Sequence, residues 1–165
     1  TEAYERNLRE RASAHGIAPE RLVFAPWAEQ SAHLQRLALA DLCLDNLPYN
    51  AHTTASDALW AGLPLVSCVG QTFAGRVAGS LLGAAGFPQL ATDSPAAYEA
   101  LALALATDPP RLAALRAELA AARGHCALFD TAAYTRHLEA GFAAAWERHR
   151  AQLPPDHIVV SHLGA

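Results

Sequence analysis

A polar stretch between two apolar runs is the strongest candidate for chemistry in this sequence. Residues 49–57 read YNAHTTASD, and a helix is predicted to begin in the middle of them, at His52 or Thr53. The first amides of a helix have no partner within it and carry positive partial charge, so a phosphate can bind there. Thr53 and Thr54 add hydroxyl donors, and His52 can add a proton or a charge. Asp57 lies about one turn further, where it can reach a ribose hydroxyl.

The same residues also allow a purely structural interpretation, in which nothing binds. Thr53 would cap the helix, and Asp57 would offset the helix dipole. Residue spacing alone does not separate this interpretation from a phosphate site.

A second candidate is a pair of residues on the preceding predicted helix. His33 and Arg36 are three positions apart and therefore share one helix face. An imidazole can stack on a base while an arginine hydrogen-bonds its edge, and Ala28 can offer backbone groups. The alternative is a solvent-exposed helix face, with Trp27 as a core or interface aromatic.

Other polar residues form weaker patterns. Gly70, Gln71 and Thr72 lead into a predicted helix that carries Arg76, but one glycine is weak evidence for a phosphate loop. The spacing of the histidines predicts no metal site, and no catalytic triad is recognisable. We therefore predict no catalytic residue and no metal ligand in this segment.

The elements that must position these residues alternate between strand and helix. Short apolar runs predict buried strands at 22–25, 42–44 and 63–68. Helices are predicted at 2–14, 31–40 with Ser31 as cap, 52–61, 72–85, 95–106, 108–123 and 130–150. Alternation with short connections is typical of a parallel α/β sheet, in which ligands bind beyond the carboxyl ends of the strands. The candidate residues lie at those ends.

Composition excludes several classes of protein. The 165 residues hold 12 arginines, no lysine and 16 acidic residues, giving a net charge of −4, so nucleic-acid binding is not expected. No apolar run is long enough to cross a membrane, and three scattered cysteines favour a reducing, cytoplasmic location. Because the sequence contains no methionine, we expect it to be a piece of a longer polypeptide.

Four segments of the sequence resemble one family. They are RLVF at 21–24, ADLCLD at 40–45, NAHTTASDALWAGLPLV at 50–66 and GQTFAGRVA at 70–78. Together they are similar to the catalytic C-terminal lobe of the SPINDLY-type, O-linked N-acetylglucosamine transferases. The similarity is dense from about 20 to 80 and looser to about 150.

This resemblance implies a GT-B enzyme with two Rossmann-like lobes that transfers a sugar, with inversion, to Ser or Thr of a protein acceptor. Residues 1–153 would be a partial nucleotide-sugar-binding lobe, without its first strands, and residues 154–165 a tail. The donor would be UDP-N-acetylglucosamine, and no metal would be required. The N-terminal lobe, the tetratricopeptide repeats and the acceptor-side histidine would lie outside this segment, which would be inactive by itself.

The resemblance also implies roles for individual residues. His52, Thr53 and Thr54 match the motif that holds the donor pyrophosphate, and Asp57 matches the ribose-binding acid. His33 matches the residue that stacks on uracil, Arg36 the residue at the base edge, and Ala28 the backbone contact to the base.

One departure from the family pattern leaves the donor open. Gln30 stands where eukaryotic members commonly carry lysine, which removes one charged contact to the nucleotide. A GDP-sugar such as GDP-fucose is therefore an alternative donor, and a non-catalytic nucleotide-sugar-binding scaffold is an alternative function.

Overall fold

The computed structural model describes residues 2–160 and consists of short strands alternating with helices. The helices are α1 (Glu2–Ala14), α2 (Gln30–Ala38), α3 (Thr53–Trp60), α4 (Val77–Ala85), α5 (Pro95–Ala106), α6 (Pro109–Ala122) and α7 (Thr131–Arg150). The strands are β1 (Cys43–Leu44), β2 (Leu65–Cys68) and β3 (Ala91–Thr92), and two single 3-10 turns lie at Pro19–Arg21 and Pro88–Leu90.

The three strands form a parallel sheet in the order β1-β2-β3. Cys43 is paired with Leu65 and Ser67 with Ala91, so β2 is the central strand. All four residues of β2 are buried, which is expected of a strand flanked by helices. The predicted strands at 42–44 and 63–68 are confirmed in their existence and type, although both are shorter than predicted.

The largest fully buried side chains lie on the elements around β2. Leu59 of α3, Leu82 of α4 and Leu105 of α5 are each no more than 1% exposed, as are Leu65 and Val66 of β2 itself. Each fully buried side chain of this size contributes about 1.5–3 kcal/mol, so this cluster stabilises the sheet.

The chain divides into two compact units, the first ending at His33 and the second beginning at Leu34. In the first unit the predicted strand at 22–25 is wrong, because this segment is not in a sheet. Phe24 instead meets the ring of Tyr4 edge-on, at 6.4 Å between centroids, and the guanidinium carbon of Arg9 lies 4.7 Å from its centroid. Val23 is 85% exposed, so the apolar run is only half buried.

Three helices begin directly after a residue whose side chain caps them. Ser94, Asp108 and Asp130 each accept a hydrogen bond from a backbone N–H in the first turn, at 3.3, 3.0 and 2.8 Å. The predicted cap of α2 is wrong, because Ser31 is the second residue of that helix rather than the residue before it. The described part of the tail, residues 154–160, contains no helix or strand.

The helix predicted over 72–85 begins only at Val77 in the structure and has nine residues, whereas residues 71–76 form a loop. Gly70 donates to the carbonyl of Gly75 at 2.6 Å, and Gly75 donates to the carbonyl of Thr72 at 3.1 Å. A Cβ on Gly75 would lie 3.0 Å from the carbonyl oxygen of Pro48, so this close approach favours glycine. Phe73 consequently lies in this loop and not on α4.

Strand β3 was not predicted, because two residues are too few to show a periodic pattern. It is defined by contacts with β2 and with the residue after it: Val69 donates to the carbonyl of Thr92 at 2.8 Å, and the Thr92 hydroxyl donates to the carbonyl of Ser67 at 3.0 Å. None of the helices among residues 2–160 is both long and apolar enough to cross a membrane.

Two glycines of α4 give a matched test of helix packing. A Cβ on Gly79 would lie 2.6 Å from Cγ2 of Val69, whereas a Cβ on Gly83 would meet nothing within 4 Å. We expect Gly79→Ala to lower the free energy of unfolding by about 1–3 kcal/mol through overpacking. Gly83→Ala should raise it by about 0.5–1 kcal/mol through helix propensity. Urea denaturation measures both, and equal stability of the two variants would contradict the packing.

Candidate functional site

The turn between β1 and α3 is held by a buried carboxylate. Asp45 is 6% exposed, and its Oδ1 accepts hydrogen bonds from the backbone N–H groups of Asn46 at 2.8 Å and Ala51 at 2.6 Å. Its Oδ2 accepts from the hydroxyl of Ser67 at 2.5 Å. Because Ser67 belongs to β2 and Ala51 precedes His52, one side chain fixes the start of α3 relative to the central strand.

Asn50 links the same turn to two further segments. It is 1% exposed, and its Nδ2 donates to the carbonyls of Asn46 at 3.1 Å and Cys68 at 3.3 Å. Its backbone N–H donates to the carbonyl of Ala74 at 3.0 Å. The segments that follow β1 and β2 are therefore joined at the carboxyl edge of the sheet, and Oδ1 of Asn50 is buried without a hydrogen-bond partner among the described residues.

Two ionisable groups near Asp45 are held in their neutral forms. Burial, and then the charge of Asp45, raise the pKa of the Cys43 thiol. The Tyr98 hydroxyl donates to the backbone carbonyl of Asp45 at 2.9 Å, and its pKa is also raised, first by burial and then by the same charge. These groups contribute no charge that would oppose binding of an anion.

His52 is the residue before α3, and its ring lies among aromatic side chains. The ring of Tyr49 stacks on it at 5.0 Å and 18°, and the ring of Phe73 meets it edge-on at 6.0 Å and 88°. Its Nε2 lies 3.4 Å from the carbonyl oxygen of Ala74, so the orientation of the imidazole is restrained on three sides.

The first turn of α3 brings together the residues of the predicted phosphate site. Thr53 and Thr54 are its first two residues and are exposed, and Asp57 lies one turn on and is half-buried. The predicted alternative that Thr53 caps the helix is wrong: His52 occupies the capping position and makes no side-chain capping bond. The amides of Ala55 and Ser56 donate to the His52 carbonyl at 3.1 and 3.2 Å.

The residues of the second candidate lie on and before α2. Gln30 is the first residue of this helix and Arg36 lies in its last turn. His33 and Arg36 are both half-buried, and Ala28, also half-buried, precedes the helix outside any helix or strand. The predicted sharing of one helix face therefore stands, since α2 is continuous over both residues.

The loop 70–76 borders a cavity of about 760 Å³ between α4 and β3. Its lining is largely apolar, with Arg76, Gln71 and Ser80 as polar members, and Phe73 separates it from the ring of His52. Arg76 is exposed and occupies the position before α4 without making a side-chain capping bond.

Several residues that shape the site were not predicted. The sequence predicts no role for Asp45, Asn50, Ser67 or Tyr98. An acidic residue directly after a buried strand and shortly before a helix is a signal for such an anchor, but Ser67 and Tyr98 are too far away in sequence to be found in that way. Among the described residues, no three His, Cys, Asp or Glu side chains are grouped so that they could share a metal ion.

Comparison with known proteins gives one family. The model described as glycosyl transferase family 41 matches residues 2–138. A probable UDP-N-acetylglucosamine–peptide N-acetylglucosaminyltransferase SEC from Arabidopsis thaliana is 39% identical over 96% of this chain and 16% of its own length. A UDP-N-acetylglucosamine–peptide N-acetylglucosaminyltransferase from Caenorhabditis elegans is 38% identical over 93% of this chain and 13% of its own length.

A solved structure is similar over nearly the same segment. A mutant of the O-GlcNAc transferase of Thermobaculum terrenum superposes with a TM-score of 0.81 at 33% identity, covering 90% of this chain and 28% of that one. The predicted fold class, a Rossmann-like parallel sheet of a GT-B C-terminal lobe, is confirmed. The chain spans less than a third of the length of each of these relatives.

The Asp45 anchor can be tested by removing its charge. Asp45→Asn leaves at least one of three donors without its acceptor, so we expect the free energy of unfolding to fall by about 1–3 kcal/mol. Ser67→Ala, which removes one donor, should cost about 1 kcal/mol. Asp93→Asn, at an exposed carboxylate, is the control and should stay within about 0.5 kcal/mol. Equal stability of Asp45→Asn and the control in urea denaturation would contradict the anchor.

Tyr98 gives a prediction for pH dependence. Because its folded pKa is raised, the unfolded chain loses this proton first, and the stability that Tyr98 contributes is lost above about pH 10. Tyr98→Phe should cost about 1 kcal/mol at neutral pH through the lost hydrogen bond to Asp45. The wild type should then lose more stability than the variant between pH 9 and about 11. Parallel curves in urea denaturation across this range would refute the assignment.

Proposed function

Because the chain belongs to glycosyl transferase family 41, we propose that it is the donor-binding part of a protein O-glycosyltransferase. The reaction would transfer N-acetylglucosamine from UDP-N-acetylglucosamine to a Ser or Thr of a protein acceptor, with inversion at the sugar. The names of the Arabidopsis and Caenorhabditis relatives support this donor and a peptide acceptor. The observation that carries the proposal is the N-terminus of α3, with His52, Thr53 and Thr54 grouped there and no capping side chain.

The absence of a capping side chain distinguishes α3 from three other helices of the chain. Helices α5, α6 and α7 have their first amides bonded by Ser94, Asp108 and Asp130. In the described chain, the two helices that follow the carboxyl ends of β1 and β2, α3 and α4, have no such bond. Ligands of open α/β sheets bind at this edge, so the first amides of α3 are placed to accept one.

In the proposed reaction, negative charge develops on the leaving group and must be stabilised. As the acceptor hydroxyl attacks the anomeric carbon and loses its proton, the bond from that carbon to the diphosphate breaks and UDP departs with an additional negative charge. The amides of Thr53 and Thr54, their hydroxyls and the positive end of the α3 dipole would stabilise this charge. His52, restrained by Tyr49 and Phe73, would add a donor at a fixed position.

The nucleoside would be held by the remaining predicted residues. Asp57 would accept hydrogen bonds from ribose hydroxyls, since it lies one turn beyond the diphosphate site. His33 would stack on uracil, Arg36 would hydrogen-bond the base edge, and the backbone of Ala28 would contact the base. Gln30 would provide a neutral amide contact to the nucleotide.

The proposal assigns other parts of the reaction to residues outside this segment. A general base, a further cation for the diphosphate and the acceptor site would come from an N-terminal lobe, with tetratricopeptide repeats binding the acceptor protein. No metal ion is required in the proposed reaction, so transfer should persist in EDTA. A cytoplasmic location is consistent with three free cysteines, Cys43, Cys68 and Cys126.

Two substitutions at the proposed diphosphate site test the function. In the full-length protein, His52→Ala and Thr54→Val should each weaken UDP binding about tenfold or more, since each removes a group that contacts a diphosphate in a partly desolvated site. Calorimetry with UDP measures this change. Thr135→Val is the matched control, because Thr135 is an exposed residue of α7 whose hydroxyl bonds only within its helix.

The same preparation distinguishes the alternatives. Preference for GDP over UDP would replace the donor by a GDP-sugar such as GDP-fucose. UDP binding without transfer of radiolabelled N-acetylglucosamine to lysate proteins would favour a nucleotide-sugar-binding scaffold. UDP affinity unchanged by both substitutions would show that the diphosphate does not bind at α3.

A further inference from the structure

An arginine at the end of helix α6 contacts the C-terminal end of α3. Arg123, the residue that follows α6, donates from Nη1 to the carbonyl of Trp60 at 3.1 Å. Its guanidinium carbon lies 5.2 Å from the centroid of the Trp60 ring, which also meets the ring of Phe129 edge-on at 5.0 Å. Since Trp60 is the last residue of α3, this contact lies at the opposite end of the helix from His52.

Arg123 completes the hydrogen bonding of this helix end. The last four carbonyls of a helix lack partners within it. In α3 the carbonyls of Asp57, Ala58 and Leu59 accept from backbone amides of residues 61–63, at 2.9–3.1 Å. The carbonyl of Trp60 accepts from Arg123, so the arginine is the only side chain that caps this end in the described chain.

A second arginine of the same helix caps α2 in the same way. Arg116 lies two turns before Arg123, and its Nη2 donates to the carbonyl of Ala38 at 2.9 Å. Its Nη1 donates to the carbonyl of Ala40 and lies 3.4 Å from that of Asp41. Arg36 lies on the last turn of α2, two residues before the first carbonyl that accepts a hydrogen bond from Arg116, that of Ala38.

We propose that Arg116 and Arg123 are positioning residues for nucleotide binding, which act by fixing the C-terminal ends of α2 and α3. This inference rests on the proposed function, because it concerns the residues assigned there to the base and the diphosphate. A cation at the C-terminal end also complements the helix dipole, whose positive end would face the ligand. The two arginines are seven positions apart, so they project from similar sides of α6.

The short length of α3 explains how a contact at its C-terminal end affects its N-terminal end. Helix α3 has eight residues and is therefore about 12 Å long. Such a short helix moves as one body, so loss of the contact at Trp60 would tilt the amides of Thr53 and Thr54 as well as Asp57. The Asp45 anchor holds the other end, and both contacts together define the direction of the helix axis.

The experiment compares UDP with uridine in the full-length protein. Arg123→Leu should weaken UDP binding about threefold to tenfold and uridine binding less, because UDP loses contacts with the Thr53 and Thr54 amides as well as with Asp57, whereas uridine loses only the contact with Asp57. Arg116→Leu should weaken binding of both ligands, because α2 carries the base contact. Arg123→Lys, which keeps a cation and a donor, should restore most of the UDP affinity. A role in folding alone would not separate the two ligands.

Arg111→Leu is the matched control, since Arg111 lies on α6, is exposed, and its side chain makes no hydrogen bond or ion pair with the described residues. It should leave both affinities unchanged. Thermal unfolding confirms that each variant is folded at the temperature of the titration. Equal affinities of wild type and Arg123→Leu for UDP, or an equal loss for UDP and uridine, would overturn the positioning role of Arg123. A wild type that binds neither ligand would instead refute the proposed function.

Discussion

The candidate site depends on one buried carboxylate, that of Asp45. Its two oxygens accept from Ala51, Asn46 and Ser67, so the end of β1, the middle of the sheet and the start of α3 meet at a single group. A buried carboxylate is tolerated only when its oxygens accept hydrogen bonds, so all three donors must lie at the correct positions around Asp45. Hydrogen bonds at its N-terminal side therefore hold the start of α3, and burial of Ala55, Ala58 and Leu59 on its apolar face adds stability.

Five helices differ in how their first amides are bonded. Helices α5, α6 and α7 have Ser or Asp caps, which stabilise a helix by about 1 kcal/mol each, and α5 has one although it follows the carboxyl end of β3. Helices α3 and α4, which follow β1 and β2, have no side-chain cap, and the C-terminal end of α3 is instead capped by Arg123. Arg123 therefore stabilises the end of α3 opposite to the candidate ligand, and the first amides of α3 carry no side-chain cap.

Sequence periodicity predicted the helices and two of the strands because apolar spacing and caps are local signals. The periodicity gave wrong elements where tertiary contacts override the local pattern. Residues 22–25 look like a strand, yet Phe24 packs on α1 instead of pairing. Residues 72–76 look like the start of α4, yet the approach of Gly75 to Pro48 forms a loop. Strand β3 has no sequence signal of its own and exists through its bonds to β2.

The sequence by itself determined the α/β class, the family and the grouping of His52, Thr53 and Thr54 at a helix N-terminus, because motifs and helix periods are contained in neighbouring residues. Only the tertiary structure decided that Thr53 is not a cap, that Asp45 is the anchor and that Arg116 and Arg123 reach α2 and α3. Ser67 bonds a carboxylate 22 residues before it, and Arg123 a carbonyl 63 residues before it. Such pairs arise from chain folding, and no single sequence pattern contains both partners.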